Sequence, residues 1–191
     1  MNKAVMLSIR PKWVEKIASG EKTIEVRKTS PKIEPPFKCY IYCTAERVGY
    51  EELWVLDAPS REKYLITAVC AYLQRAEGAS KGNRKVIGEF TCDRIYELAP
   101  LNHAPDDVEK QACLTREEIV NYLKGTGYGW HITDLRIYDA PRELSEFRRA
   151  TDPCDSCRAE YTWECNGCEK LSGDIKRAPQ SWCYVEAIDN G

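Results

Sequence analysis

Apolar and polar residues alternate in the first stretch that can form regular structure, "AVMLSIR" at 4–10. Val5, Leu7 and Ile9 fall on one face and Met6, Ser8 and Arg10 on the other, the pattern of a half-buried strand. Pro11 suits the first turn of a helix, "PKWVEKIASG", with Trp13, Val14 and Ile17 on one side and Gly20 as its stop. Alternation resumes in "GEKTIEVRK" at 20–28. Ile24 and Val26 share one face of the strand this predicts; Thr23, Glu25 and Arg27 share the other, with Lys22 at its mouth. Pro31, Pro35 and Pro36 close it off, and the aromatic, β-branched "FKCYIYC" (37–43) predicts a third strand.

Residues 45–84 form an excursion from this pattern. Ser60 can cap a helix in which Tyr64, Leu65, Ala68, Val69, Tyr72 and Leu73 make an amphipathic stripe. A glycine-rich basic stretch with Lys81, Arg84 and Lys85 ends it. "KVIGEFTCDRIYEL" (85–98) reads as one long strand, with Gly88 at a bulge. In "LTREEIVNYLKG", Thr115 and Glu118 make a capping box and Gly125 stops the helix. "GYGWHITDLRIYDAP" reads as a loop running into a strand, "ELSEFRR" as a helical turn, and 178–188 as the final strand. Strands dominate and both ends are strands. The prediction is one α+β domain over 1–191: a small barrel of about five or six strands with peripheral helices, since closure removes exposed sheet edges.

Composition narrows the class. The apolar fraction of 43% and charged fraction of 30% are ordinary for a globular protein. No apolar run approaches the ~20 residues of a membrane helix. The chain opens on a short β-like run rather than a secretory signal, so a cytoplasmic protein is expected. Net charge is −2, but residues 1–38 carry nine basic and four acidic residues, +5, and the rest is −7. A basic end on a mildly acidic chain points to a local anion-binding face rather than a general nucleic-acid coat, or to clustering on a solvated surface.

Ten cysteines are many for a chain without an export signal. Cys154, Cys157, Cys165 and Cys168 give C-x2-C-x7-C-x2-C in an insertion at 152–170, before the last strand. Two such pairs can wrap one tetrahedral ion, and four thiolates leave no open position, so a structural zinc is the leading expectation. That segment has almost no aliphatic residues, so the metal would supply its folding energy. Disulfides, free thiols or an iron–sulfur cluster are the other readings. Cys39, Cys43, Cys70, Cys92, Cys113 and Cys183 lie in predicted elements and read as core residues.

The polar residues leave alternatives open. Glu25 and Arg27 sit about 7 Å apart on one strand face. They are either a structural ion pair or, with Lys22, the lining of a ligand cleft that Arg10 and Ser8 could join. Trp130 and His131 lie between glycines in "GYGWHI". Trp130 is suited either to stacking on a base or to plugging the core, and His131 to proton transfer. His103 reads as a plain loop histidine and Trp182 as core.

Strand, helix and then "GEKTIEVR" fit Gly-x-Lys-x-x-Glu-x-Arg at 20–27. That resembles the signature of the ASCH domain, a family within the PUA-like superfamily of small β-barrels. The later "VIGEF" and "YGWHI" segments and a closing strand are similar to the family's order over roughly 1–44, 84–150 and 178–191. The resemblance implies a cleft beside the barrel that binds RNA or a modified base. Some small relatives resemble amidohydrolases that deacetylate a modified cytidine, using the lysine of this motif, a threonine three residues on and a distant glutamate. Lys22 matches the lysine, but Glu25 stands where the threonine would be, and a carboxylate cannot replace a hydroxyl nucleophile without changing the chemistry. The expectation is therefore binding of RNA or a nucleotide-like ligand by Arg10, Lys22, Glu25, Arg27, Trp130 and His131. The alternatives are a hydrolase of the amidohydrolase or ribonuclease type, with Lys22 and Glu25 catalytic, or a protein-interaction module.

Overall fold

A computed structural model describes residues 3–44, 84–98, 104–150 and 173–188. The amphipathic stripe in 45–83, Lys81, Cys70, His103 and the four paired cysteines lie outside the described residues.

Two sheets make the fold. Strands β1 (Lys3–Ile9), β3 (Phe37–Cys43), β4 (Val86–Cys92), β7 (Thr133–Arg142), β8 (Arg148–Arg149), β9 (Gly173–Asp174) and β10 (Trp182–Glu186) form a seven-stranded sheet in the order β7-β4-β3-β1-β10-β8-β9. Strands β2 (Ile24–Arg27), β6 (Tyr128–His131) and β5 (Ile95–Glu97) form a three-stranded sheet in the order β2-β6-β5. β1 runs parallel to β3; the other ladders are antiparallel. Helix α1 (Pro11–Ala18) links β1 to β2, and α2 (Val108–Ala112) and α3 (Arg116–Leu123) link β5 to β6.

The mixed α+β class agrees with the sequence, but the closed barrel of five or six strands does not appear among the described residues. No described ladder joins the edge strands β7 and β9. The reason is visible at two crossings that alternation alone did not reveal. The stretch read as one strand over 85–98 breaks at Asp93 and Arg94, which carry the chain from the large sheet to the small one. The stretch read as a loop and a strand over 127–141 is two strands, and Ile132 carries the chain back.

Three apolar clusters follow. Val5, Leu7, Ile9, Cys39, Ile41, Phe90 and Trp130 fill the space between the sheets. Met6, Tyr40, Tyr42, Phe147, Cys183 and Val185 cover the other face of the large sheet. Ile24, Val26, Leu98, Ile119 and Leu123 join the small sheet to α2 and α3. β1 is therefore buried on both faces, not half-buried, because it sits at the centre of the sheet between β3 and β10. Gly88 lies at a register shift, and a Cβ there would come within 2.5 Å of the Arg136 carbonyl oxygen, so only glycine allows β4 and β7 to approach this closely. The Thr115–Glu118 capping box is present at α3. Among the described residues no helix is long and apolar enough to cross a membrane.

Candidate functional site

β2 is a short strand caught between two layers. Its apolar residues, Ile24 and Val26, face the helices. Its polar residues therefore face inward, toward the large sheet, and not toward solvent. Lys22, Glu25 and Arg27 are all buried, with side chains 2%, 9% and 7% exposed.

The geometry is a string of charges. Arg27 Nη2 lies 3.0 Å from Glu25 Oε1, and Lys22 Nζ lies 3.5 Å from Glu25 Oε2. One carboxylate thus sits between two cations, leaving one uncompensated positive charge in the layer. Arg27 reaches across to the large sheet: Nη2 donates to the Ser8 carbonyl at 2.8 Å, and Nη1 donates to the Ser181 carbonyl and hydroxyl, each at 3.2 Å. Lys22 turns the other way. Its Nζ donates to the Ala112 carbonyl at the end of α2, 2.7 Å away, and lies 5.1 Å from the centre of the Trp13 ring. Burial pulls the Lys22 ammonium below its ordinary value of 10.5, and Glu25 offsets only part of this by charge and hydrogen bonding.

Among the described residues, Arg27 Nε and Trp130 Nε1 are buried in this layer without a hydrogen-bond partner. Trp130 is opposite Glu25 in the β2–β6 register, so the two side chains share a face. Its ring is fully buried, edge-on to Phe37 at 5.8 Å and tilted against Trp182 at 6.0 Å. The ring faces are occupied by protein, so Trp130 plugs the core and a base cannot stack on it from solvent.

Two of the expected site residues lie elsewhere. Arg10 is exposed at the N-terminus of α1, where its carbonyl accepts from the Trp13 and Val14 backbone. His131 is opposite Ile24, hence on the face of the small sheet away from Glu25, with Nδ1 2.7 Å from Asp93 Oδ1 and Tyr96 edge-on at 6.3 Å. Ser8 joins the site through its backbone carbonyl, while its hydroxyl donates to the Pro179 carbonyl at 2.6 Å. Ser181 and Ala112 are members that the sequence did not indicate. Ala112 acts through its backbone oxygen and Ser181 through its backbone oxygen and its hydroxyl alike; a backbone oxygen leaves no trace in residue type, and α2 is too short for helical periodicity to show.

The remaining thiols behave as packing groups. Cys39, Cys43, Cys92 and Cys183 are buried, and Cys113 is half-buried. Burial pushes the Cys92 thiol up to about 12 and raises Cys39 and Cys183 as well, which keeps them protonated near neutral pH. Among the described residues no three His, Cys, Asp or Glu side chains are grouped to hold a metal ion.

No family model matches the chain, and no curated protein does. The fold has solved counterparts: two crystal structures of ZmASCH from Zymomonas mobilis, one a Tyr→Phe mutant and one a Ser→Ala mutant. Each superposes with a TM-score of 0.52 at 15% identity, over 96% of this chain and 90% and 88% of theirs. At that identity the likeness is one of fold, and the fold is that of ASCH domain proteins.

The buried lysine has a signature in stability. The folded state holds the Lys22 proton less tightly than the unfolded chain, so the unfolded state binds more protons in the window below 10.5. Stability contributed at this position therefore rises as pH climbs through that window. Urea unfolding of the protein and of Lys22→Met, measured from pH 7 to 10.5, should show the wild type gaining on the variant as pH rises. A constant difference between the two would mean that Lys22 titrates like a solvated lysine.

Proposed function

We propose that this chain binds RNA or a nucleotide-like ligand through the polar layer on β2. The observation that carries the reading is the pair of buried donors without acceptors, Arg27 Nε and Trp130 Nε1, in a layer that already holds an excess positive charge. A buried donor left unpaired costs roughly 1–3 kcal/mol, and an acceptor on a ligand removes that cost. The ASCH fold supports the same reading at the level of architecture.

Burial decides which part of the ligand enters. The terminal nitrogens of Arg27 are already committed to Ser8, Ser181 and Glu25, so the guanidinium is not a free phosphate fork. A dianionic phosphate would also lose its hydration in a layer with one surplus positive charge. The edge of a heterocyclic base, with carbonyl acceptors for Arg27 Nε and Trp130 Nε1 and an amine for Glu25, suits the site better. Phosphates would stay at the surface.

A second reading rests on Lys22. An amine whose proton affinity is lowered by burial is the form a hydrolase uses as base or nucleophile. Glu25, 3.5 Å away, would hold it in place. Hydrolysis of a modified nucleoside or of RNA is the corresponding activity.

Cys154, Cys157, Cys165 and Cys168 are proposed to hold a structural zinc, in the zinc-knuckle-like insertion at 152–170. The donor set fits: four thiolates from two C-x2-C pairs complete a tetrahedral shell, so the ion would shape that segment and take no part in a reaction.

Anisotropy of a labelled single-stranded RNA should rise on adding protein, and the affinity should fall with salt. Trp130→Phe, which removes one donor and keeps an aromatic ring, should weaken binding about tenfold, the value of a lost hydrogen bond at a buried group, and leave the salt slope unchanged. No binding to RNA or to a panel of nucleosides would overturn the reading. Turnover of any member of that panel, abolished by Lys22→Met, would establish the hydrolase instead. Elemental analysis of purified protein should find one zinc per chain, and Cys157→Ser with Cys165→Ser should lose it; iron together with acid-labile sulfide in its place would identify a cluster.

A further inference from the structure

The base layer is closed to stacking on Trp130, yet an aromatic surface lies beside it. On β10, Cys183 and Val185 belong to the cluster on the far side of the large sheet, so Trp182 and Tyr184 project from the face that carries Arg27's partners. Both rings are half-buried, and they stand edge to face with centres 5.3 Å apart. Trp182 touches Trp130, and it directly follows Ser181, the residue that accepts from Arg27 Nη1.

The polar ends of both rings are fixed. Trp182 Nε1 donates to Thr29 Oγ1 at 3.0 Å, and the Tyr184 hydroxyl accepts from the Lys32 backbone N–H at 2.7 Å. The rings are thus set in place by the segment that follows β2, the strand of the polar layer. Rings held this way lose little rotamer freedom when a base packs on them.

Cations surround this surface. Lys3 Nζ lies 5.5 Å from the centre of the Tyr184 ring, and Lys32 is exposed on the segment above it. Phe147 and Ile175 point to the far cluster, so Arg148 on β8 points to the same face as Tyr184, where it is 60% exposed. Lys176 and Arg177 are exposed on the link from β9 to β10. Among the described residues, the carboxylates on this side are Asp174, 3.9 Å from Arg148, Glu186, opposite Lys3 in the β1–β10 register, and Glu34, exposed two residues after Lys32. Lys32, Arg148, Lys176 and Arg177 beside two aromatic rings match a polyanion that carries flat bases.

We infer that Trp182 and Tyr184 form a stacking surface for a base of single-stranded RNA, with Lys32, Arg148, Lys176 and Arg177 contacting the flanking phosphates. The inference rests on the RNA reading above and adds a surface outside the β2 layer. A nucleotide whose base edge enters that layer would place its neighbour over Trp182 and Tyr184.

The test uses the full chain and a labelled single-stranded RNA at several salt concentrations. Trp182→Leu and Tyr184→Leu, which keep apolar volume and remove the ring, should each weaken binding about tenfold to a hundredfold. Tyr184→Phe, which keeps the ring, should bind within about twofold of wild type, since stacking is retained. Arg148→Gln and Arg177→Gln, exposed substitutions that leave the core untouched, should each lower the salt slope by about 0.7. Melting curves confirm that each variant is folded. Should a leucine variant not fold, the two arginine variants decide. If the wild type binds and folded variants bind as it does with the same salt slope, this surface is not the RNA track, although the β2 reading stands. If the wild type does not bind RNA, this surface is not an RNA track, and the β2 reading stands or falls on the nucleoside panel.

Discussion

Arg27 is the contact on which the arrangement of the molecule turns. It leaves a four-residue strand in the small sheet and ends on backbone and hydroxyl oxygens of the large one, at Ser8 and Ser181. A guanidinium with carbonyl, hydroxyl and carboxylate partners on two nitrogens is a rigid bracket that lysine, with a single nitrogen, could not form. Removing one partner of such a buried charge typically costs 3–5 kcal/mol, because the other is left without compensation. Glu25 makes the bracket tolerable by holding a negative charge 3.0 Å from Arg27, and Lys22 extends it to the end of α2. The two sheets and the helical layer are thus tied by three residues of one short segment.

Such a string is a costly way to hold two sheets together. A layer of Val and Leu between the sheets would usually serve stability as well or better. Among the described residues, Arg27 Nε and the Nε1 of the fully buried Trp130 stay unpaired in this layer, and a core under selection for stability alone pairs its buried N–H groups. The same segment then continues to Thr29 and Lys32, which set the two aromatic rings on β10. Sheet connection, polar layer and outer aromatic surface therefore share one stretch of backbone.

Much of this was legible before any coordinates. The alternation in 20–28 separates Ile24 and Val26 from Glu25 and Arg27, and the structure keeps that separation. What alternation does not tell is which face meets solvent. The polar face of β2 reads either as a structural ion pair or as the lining of a cleft, and only the second sheet that lies over it shows that it is buried. The strand breaks at Asp93 and Ile132 were hidden for a related reason: the residues on both sides keep strand-like patterns, and only the change of hydrogen-bonding partner marks the crossing. Trp130 and Trp182 were separable only in three dimensions. Both sit in strands with aromatic neighbours, and the glycines that suggested an exposed loop at Trp130 instead let the chain pack closely. At Gly129, a Cβ would meet the Ile24 side chain at 2.9 Å.

The burial of Trp130 also constrains chemistry. Under the proposed reading, a ligand edge in the β2 layer would meet buried hydrogen-bond donors and one carboxylate, and would be chosen by pattern: a partner that presents acceptors in the right places over an apolar one of the same shape. Pairing lost at a buried polar group costs far more than a misplaced methylene, so such layers are selective out of proportion to their area. The stacking proposed on Trp182 and Tyr184 would have the opposite character, because every base has a π-face. In that proposal affinity from the outer surface and discrimination from the inner layer would be separable, and the two places meet at Ser181, whose oxygens accept from Arg27 while the next residue carries the outer ring.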